Sequence, residues 1–123
     1  MSQDIVSDTL NEIMNAKRVE RREIYIKRSS KLLFNLMDIM KKEGHIDYEK
    51  KGGGVLIKII RVNECKSVKP RFNVRVENIE KYLKRYLPSR KFGKLIISTN
   101  KGLLDQFQAE ESGIGGSLIA YFY

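Results

Sequence analysis

The chain has 123 residues and carries 24 Lys and Arg against 15 Asp and Glu, a net charge of +9, with one Cys, one His and no Trp. Its length allows one ordinary domain or two very small ones, and 41% hydrophobic residues are too many for a disordered chain. A single cysteine excludes an intramolecular disulfide and a cysteine-rich zinc site, the apolar runs are too short for a bilayer, and Met1, Ser2, Gln3 and Asp4 do not open a signal peptide. A soluble, cytoplasmic protein in a reducing compartment is expected.

Val6, Leu10, Ile13 and Met14 recur at helical spacing and predict a helix over about 4–16. From Glu23 to Arg28 the period becomes two, with Ile24 and Ile26 on one face and Tyr25 and Lys27 on the other, as in a half-buried strand. Ser29 and Ser30 offer N-caps for a second helix, whose stripe is Leu33, Leu36, Met37 and Met40 and whose stop is Gly44. Residues 45–51 read as strand and turn, Gly52 to Gly54 as a flexible connection, and 55–62 as a β-rich apolar run.

Asn63 to Lys69 is polar and reads as a link. Beyond it Phe72, Val74 and Val76 alternate with Arg71, Asn73 and Arg75, a strand with a basic outer face. Ile79, Tyr82, Leu83 and Tyr86 predict a short helix that stops before Pro88. A buried strand over 93–98, a short helix over 103–111 and a terminal strand over 117–123 complete the chain. The expected fold class is α+β in two small subdomains. Residues 1–65 form an N-terminal α-β-α-β-β unit; residues 66–123 form a unit that is mostly β with short helices.

The charge is not spread evenly. Residues 1–65 hold 13 basic and 10 acidic side chains, residues 66–101 hold 11 and 2, and residues 102–123 hold none and three. The middle stretch alone equals the whole excess. A second basic run, Lys17, Arg18, Arg21, Arg22, Lys27, Arg28 and Lys31, faces only Glu20 and Glu23. Basic blocks interleaved with strands point to RNA or DNA, where neutralised phosphates release counterions.

Catalytic constellations are thin. His45 and Cys65 could make a base and a nucleophile, but no third group is suggested, and Asp47 with Glu49 is too little for a metal. Neither glycine cluster has the context of a nucleotide loop. No enzyme activity, cofactor, metal or small-molecule substrate is expected. The strongest local feature is the strand ending in Ser98 and Thr99, followed by Asn100, Lys101 and Gly102 and then, on this reading, a helix. Hydroxyls, a small-residue turn and a helix N-terminus would favour an anion and can bond an RNA minor groove. The alternative is that Ser98 or Thr99 merely caps the helix.

Gly93, Ile96, Ile97, Ser98, Thr99, Gly102, Leu103, Leu104 and Ala109, with Gly115 and Gly116 beyond, stand in the order of a known signature. Asp8, Thr9, Leu10, Ile13, Asn15, Ala16, Ser29, Ser30 and Lys31 fit the N-terminal motifs of the same family. The chain resembles the small-subunit ribosomal protein numbered eight in bacteria. Lys69 to Phe72 and Leu87 to Gly93 are similar to its archaeal and eukaryotic branch. The resemblance implies a two-domain α+β protein without enzymatic activity. It would bind the central domain of small-subunit ribosomal RNA and sit among neighbouring small-subunit proteins, away from membranes.

By position, the resemblance puts Ser98 and Thr99 on the RNA, lets Gly102 approach it closely and sets Lys101 on phosphate. The expected contact set adds Asn100, Gly115 and Gly116, then Lys69, Arg71, Arg75, Arg90 and Lys91 from the basic block. Ser29, Ser30 and Lys31 would make a second contact. Two departures stand out: Glu110 and Glu111 follow Ala109 where the family is commonly basic, and residues 44–54 are short. The acidic pair implies a helix end drawn away from RNA or set against a basic neighbouring protein. Other classes that fit the charge are a free-standing RNA chaperone or non-specific duplex-RNA binder, and a small hydrolase using Cys65 or His45.

Overall fold

The computed structural model describes residues 5–89 and 91–123. It has the expected α+β class. The chain divides into two compact units, the first ending at Cys65 and the second beginning at Lys66.

The first unit runs α1 (Ile5–Arg18), β1 (Glu23–Ile26), α2 (Lys31–Lys42), β2 (Ile46–Lys51) and β3 (Gly54–Ile59). Its sheet has the order β1-β3-β2, with both pairings antiparallel. The helical stripes and the alternating strand positions meet in one core. Val6, Leu10, Ile13 and Ala16 of α1, and Leu33, Leu36, Met37 and Met40 of α2, are all buried, as are Ile24, Ile26, Val55 and Ile57. Ser30 caps α2, its Oγ accepting from the Leu33 N–H at 3.2 Å. On the outer side of α2, Tyr48 donates its hydroxyl hydrogen to Asp38, which pushes the phenol up to about 12.

Four boundaries differ from the sequence reading here, the first being that of the apolar run over 55–62, whose strand ends at Ile59. Helix α1 continues two residues further, to Arg18, because Lys17 and Arg18 are good helix formers that also favour a C-terminus. Strand β1 ends at Ile26, the last residue paired with β3. Gly52 to Gly54 is not a flexible connection: Gly52 and Gly53 form a tight hairpin turn with φ of +57° and +83°, and Gly54 is the first residue of β3. The Tyr25 hydroxyl pins that turn by donating to the Lys51 carbonyl at 2.8 Å.

The second unit holds β4 (Cys65–Val74), a 3-10 turn at Val76–Asn78, α3 (Ile79–Tyr86), β5 (Lys94–Thr99), β6 (Gly102–Leu104), α4 (Gln106–Ser112) and β7 (Gly116–Phe122). The sheet order is β4-β7-β5-β6. Val68, Val74, Ile79, Leu83, Leu95, Ile97, Ala109 and Leu118 form its core. A β-bulge interrupts the β5–β7 pairing: Ile96 faces Ala120 and Ile97 faces Leu118, leaving Ile119 without a partner.

The expected link over 63–69 is mostly strand, since β4 starts at Cys65 and buries Cys65 and Val68. Val76 is not the third inward residue of that strand; it opens the 3-10 turn. The helix expected over 103–111 is two elements. Residues 102–104 pair with β5, Gly102 opposite Thr99 and Leu104 opposite Ile97, so β5 and β6 form a hairpin. The helix begins only after Asp105.

Candidate nucleic-acid interface

The β5–β6 turn is built by its own side chains. Thr99 donates its hydroxyl hydrogen to the Gly102 carbonyl at 2.8 Å, and its oxygen accepts from the Lys101 N–H at 3.0 Å. Gly102 holds φ at +97°, where a Cβ would be strained although the space around it is open. The Thr99 hydroxyl thus gives its one hydrogen to the turn and keeps one lone pair. Ser98, Asn100 and Lys101 keep their side chains clear of protein partners among the described residues. They present a hydroxyl, an amide and an ammonium group together.

No helix N-terminus contributes here, which corrects the sequence reading. Asp105 caps α4 three residues later. Its Oδ1 accepts from the Gln108 N–H at 2.8 Å, and the Gln108 side chain accepts from the Asp105 N–H at 3.1 Å. Neither Ser98 nor Thr99 is the cap. The second Asp105 oxygen lies 3.3 Å from Lys94 Nζ.

Close backbone approach gathers further residues at this end of the sheet. A Cβ on Gly116 would strike the Ser98 carbonyl, and one on Gly115 would strike the Val74 carbonyl. The turn at 99–102, the start of β7 and the end of β4 therefore lie side by side, and exposed Arg75 follows directly on β4. The protein's own strands account for the small size of Gly115 and Gly116. Ser98 to Gly102, Gly115, Gly116 and Arg75 form one constellation.

Other expected contacts are elsewhere. Lys69 and Arg71 are exposed on β4, with Lys69 five residues before Val74, about 16 Å along the strand. Lys91 is exposed before β5, at the opposite end of the sheet, where Lys94 pairs with Phe122. Arg90 lies outside the described residues. Ser29, Ser30 and Lys31 belong to the first unit; Ser29 and Lys31 are exposed, while the Ser30 oxygen is occupied as a helix cap.

Sequence reasoning missed two positioning residues, Asp105 and Gln106. Gln106 is fully buried, accepts from the Leu95 N–H at 2.9 Å and donates to the Gly93 carbonyl at 3.0 Å. It fastens the start of α4 to the start of β5. The spacing Asp105 to Gln108 is a legible capping-box signal; nothing local marks Gln106.

Cys65 and His45, the nucleophile and base candidates, each lie against a backbone carbonyl. Cys65 is buried, its thiol donates toward the Leu10 carbonyl at 3.6 Å, and burial pushes it up to about 12, so it stays a neutral thiol. His45 Nδ1 lies 2.7 Å from the Arg61 carbonyl oxygen, a backbone anchor.

A sequence model described as ribosomal protein S8 matches residues 4–123. The chain is 40% identical over 129 aligned positions to the small ribosomal subunit protein uS8 of Thermoplasma volcanium, covering all of both chains. It is 42% identical to the protein of that name from Nanoarchaeum equitans, again over all of both. With small ribosomal subunit protein uS8A of Schizosaccharomyces pombe it shares 35% identity over 98% of each chain.

Proposed function

The chain belongs to the ribosomal protein S8 family, and on that premise we propose that it is a structural protein of the cytoplasmic small ribosomal subunit that binds the central domain of small-subunit ribosomal RNA directly. Binding stabilises the fold of that RNA for assembly and translation; no catalytic role is assigned. The observation that carries this reading is the end of the second unit's sheet. A turn locked by its own threonine presents free Ser98, Asn100 and Lys101 beside Arg75.

The chemistry suits RNA. A hydroxyl and an amide both donate and accept, so they can bond 2′-hydroxyls and base edges in a shallow minor groove. Lys101 and Arg75 meet phosphates, while Lys69, Arg71 and Lys91 add affinity along the sheet. Phosphate contacts position the protein, and the rigid turn selects the site. Glu111 is exposed on the last turn of α4; its carboxylate repels phosphate and suits either a helix end drawn away from the RNA or a basic neighbouring protein.

The test is a titration of the protein against a transcript of the small-subunit RNA central domain and against an equally long unrelated duplex, across a range of salt. A preference of about a thousandfold at physiological salt is expected, by analogy with specific protein–DNA recognition. Replacing Ser98 and Thr99 by Ala should remove most of that preference. Equal affinities for both RNAs in the wild type would overturn the reading.

A further inference from the structure

A cleft of about 810 Å3 opens on the first unit between the turn that follows α1 and the segment that follows β3. Lys17, Arg21, Arg22 and Arg61 line it together with Ile60, and Glu20 supplies a carboxylate. Arg21, Arg22 and Arg61 are exposed, and none of their guanidinium groups meets a carboxylate among the described residues. Lys17 Nζ donates one hydrogen to the Asn63 carbonyl at 3.2 Å and keeps two for a ligand.

The backbone under these cations is fixed. The N–H groups of Glu20 and Arg21 donate to the carbonyls of Lys17 and Ala16 at 3.1 and 2.8 Å. Ile60 and Arg61 both donate to the His45 carbonyl at 3.0 Å, and the Ile59 N–H donates to the Arg22 carbonyl at 2.8 Å. The two walls are thus tied to each other and to the hairpin. Val19 and Glu20 form a turn in which Glu20 holds φ at +60°, a region non-glycine residues seldom enter.

We propose that this cleft is a second phosphate-binding surface, gripping the RNA backbone independently of the hairpin turn on the second unit. Unpaired guanidinium forks match phosphate oxygens bidentately, and their weak hydration makes them easier to desolvate than lysine. Four cations against one carboxylate leave the cleft strongly positive. Ile60, 63% exposed, offers an apolar platform for a ribose. The proposal rests on the reading that the protein binds RNA. It adds a site that the basic count of residues 17–31 does not locate, since Arg61 comes from the far end of the unit.

The experiment compares the full-length wild type, the triple variant Arg21→Gln, Arg22→Gln and Arg61→Gln, the single variant Glu20→Lys, and the double variant Ser98→Ala with Thr99→Ala. Each is titrated with the central-domain transcript and the unrelated duplex between 50 and 200 mM salt. With a log–log slope of about 0.9 per phosphate on duplex DNA as guide, losing three contacts lowers the slope by about 2.7. Wild-type affinity should then fall about fortyfold more than that of the triple variant over this range, on both RNAs. Glu20→Lys should steepen the slope by about one.

The hairpin double variant should lose preference for the transcript and keep most of its salt slope. An unchanged slope in the triple variant, with wild-type preference intact, would overturn the cleft, leave the proposed function standing and point the surface to an acidic protein. A reduced slope with no wild-type preference would do the reverse. No RNA binding by the wild type would overturn both.

Discussion

Replacing Gln106 by Leu isolates a polar link that lies wholly inside the second unit. Leucine keeps the bulk of the side chain but can neither accept from Leu95 N–H nor donate to the Gly93 carbonyl. The Leu95 N–H is then left buried against an apolar side chain, while the half-buried Gly93 carbonyl keeps some access to water. Each unsatisfied buried group costs about 1–3 kcal/mol. The Leu95 N–H bears that cost in full and the part-buried Gly93 carbonyl a share of it, about 2–5 kcal/mol together, and the added apolar burial offsets about 1 kcal/mol. A net loss of about 3 kcal/mol is a large share of the 5–15 kcal/mol typical of a folded protein. Urea unfolding followed by far-ultraviolet circular dichroism should show it. With a slope of about 2 kcal/mol per molar, the midpoint drops by about 1.5 M. The Leu95 amide should also lose protection from hydrogen exchange. A midpoint shift below about 0.25 M, with that amide still protected, would refute the assignment of Gln106 as the fastening between α4 and β5.

Ser30→Ala should destabilise the protein by about 1 kcal/mol through loss of the α2 cap, whereas Ser29→Ala should change urea stability by less than about 0.5 kcal/mol. Thr99→Val removes both hydroxyl bonds of the hairpin turn and should weaken binding to the cognate transcript about fivefold, the worth of about 1 kcal/mol, while Thr99→Ser should bind as the wild type does. Spectrophotometric titration, read as the difference between wild type and Tyr48→Phe, should place the Tyr48 phenol near 12 in the folded protein. Since its folded value is raised above the usual 10.0, the Tyr48–Asp38 bond contributes fully below pH 10 and is lost as pH rises toward 12. Tyr48→Phe should flatten that part of the stability profile.

The parts of the fold legible in the sequence are those in which a single face is buried. The stripes of α1 and α2 and the alternation of β1 identify their elements because each side chain's environment follows from its own period. Residues 102–105 show where this fails. Leu103 and Leu104 precede an acidic residue and read as a helix start, yet Gly102 at positive φ turns the chain back along β5, and the Asp105 to Gln108 capping box sets the true start. Strand β4 was masked by a different cause: Cys65 and Val68 are buried at an odd spacing, so the first half shows no alternation. The hairpin turn was found as a polar motif, but its division of labour was not. Which hydroxyl folds inward to hold the turn, and which remains available, depends on where the Gly102 carbonyl lies. The basic cleft draws on residues about forty positions apart, and no local window contains it.

The bulge at Ile119 sets the phase of the last strand. Leu118 and Tyr121 stand three apart, yet both belong to the same core cluster, because the unpaired residue resets the alternation between them. Point changes among the apolar residues of β7 can be absorbed by repacking. A deletion of one residue there cannot. Taken from the stretch before the bulge, at Ser117 for example, it would shift the residues N-terminal to it by one register position and pull Gly116 off the Ser98 carbonyl. The C-terminal strand thus behaves as a ruler, and what it measures is the placement of the 99–102 turn. Variation in length should be confined to loops such as 43–45 and 52–53, and be absent between Gly115 and Leu118.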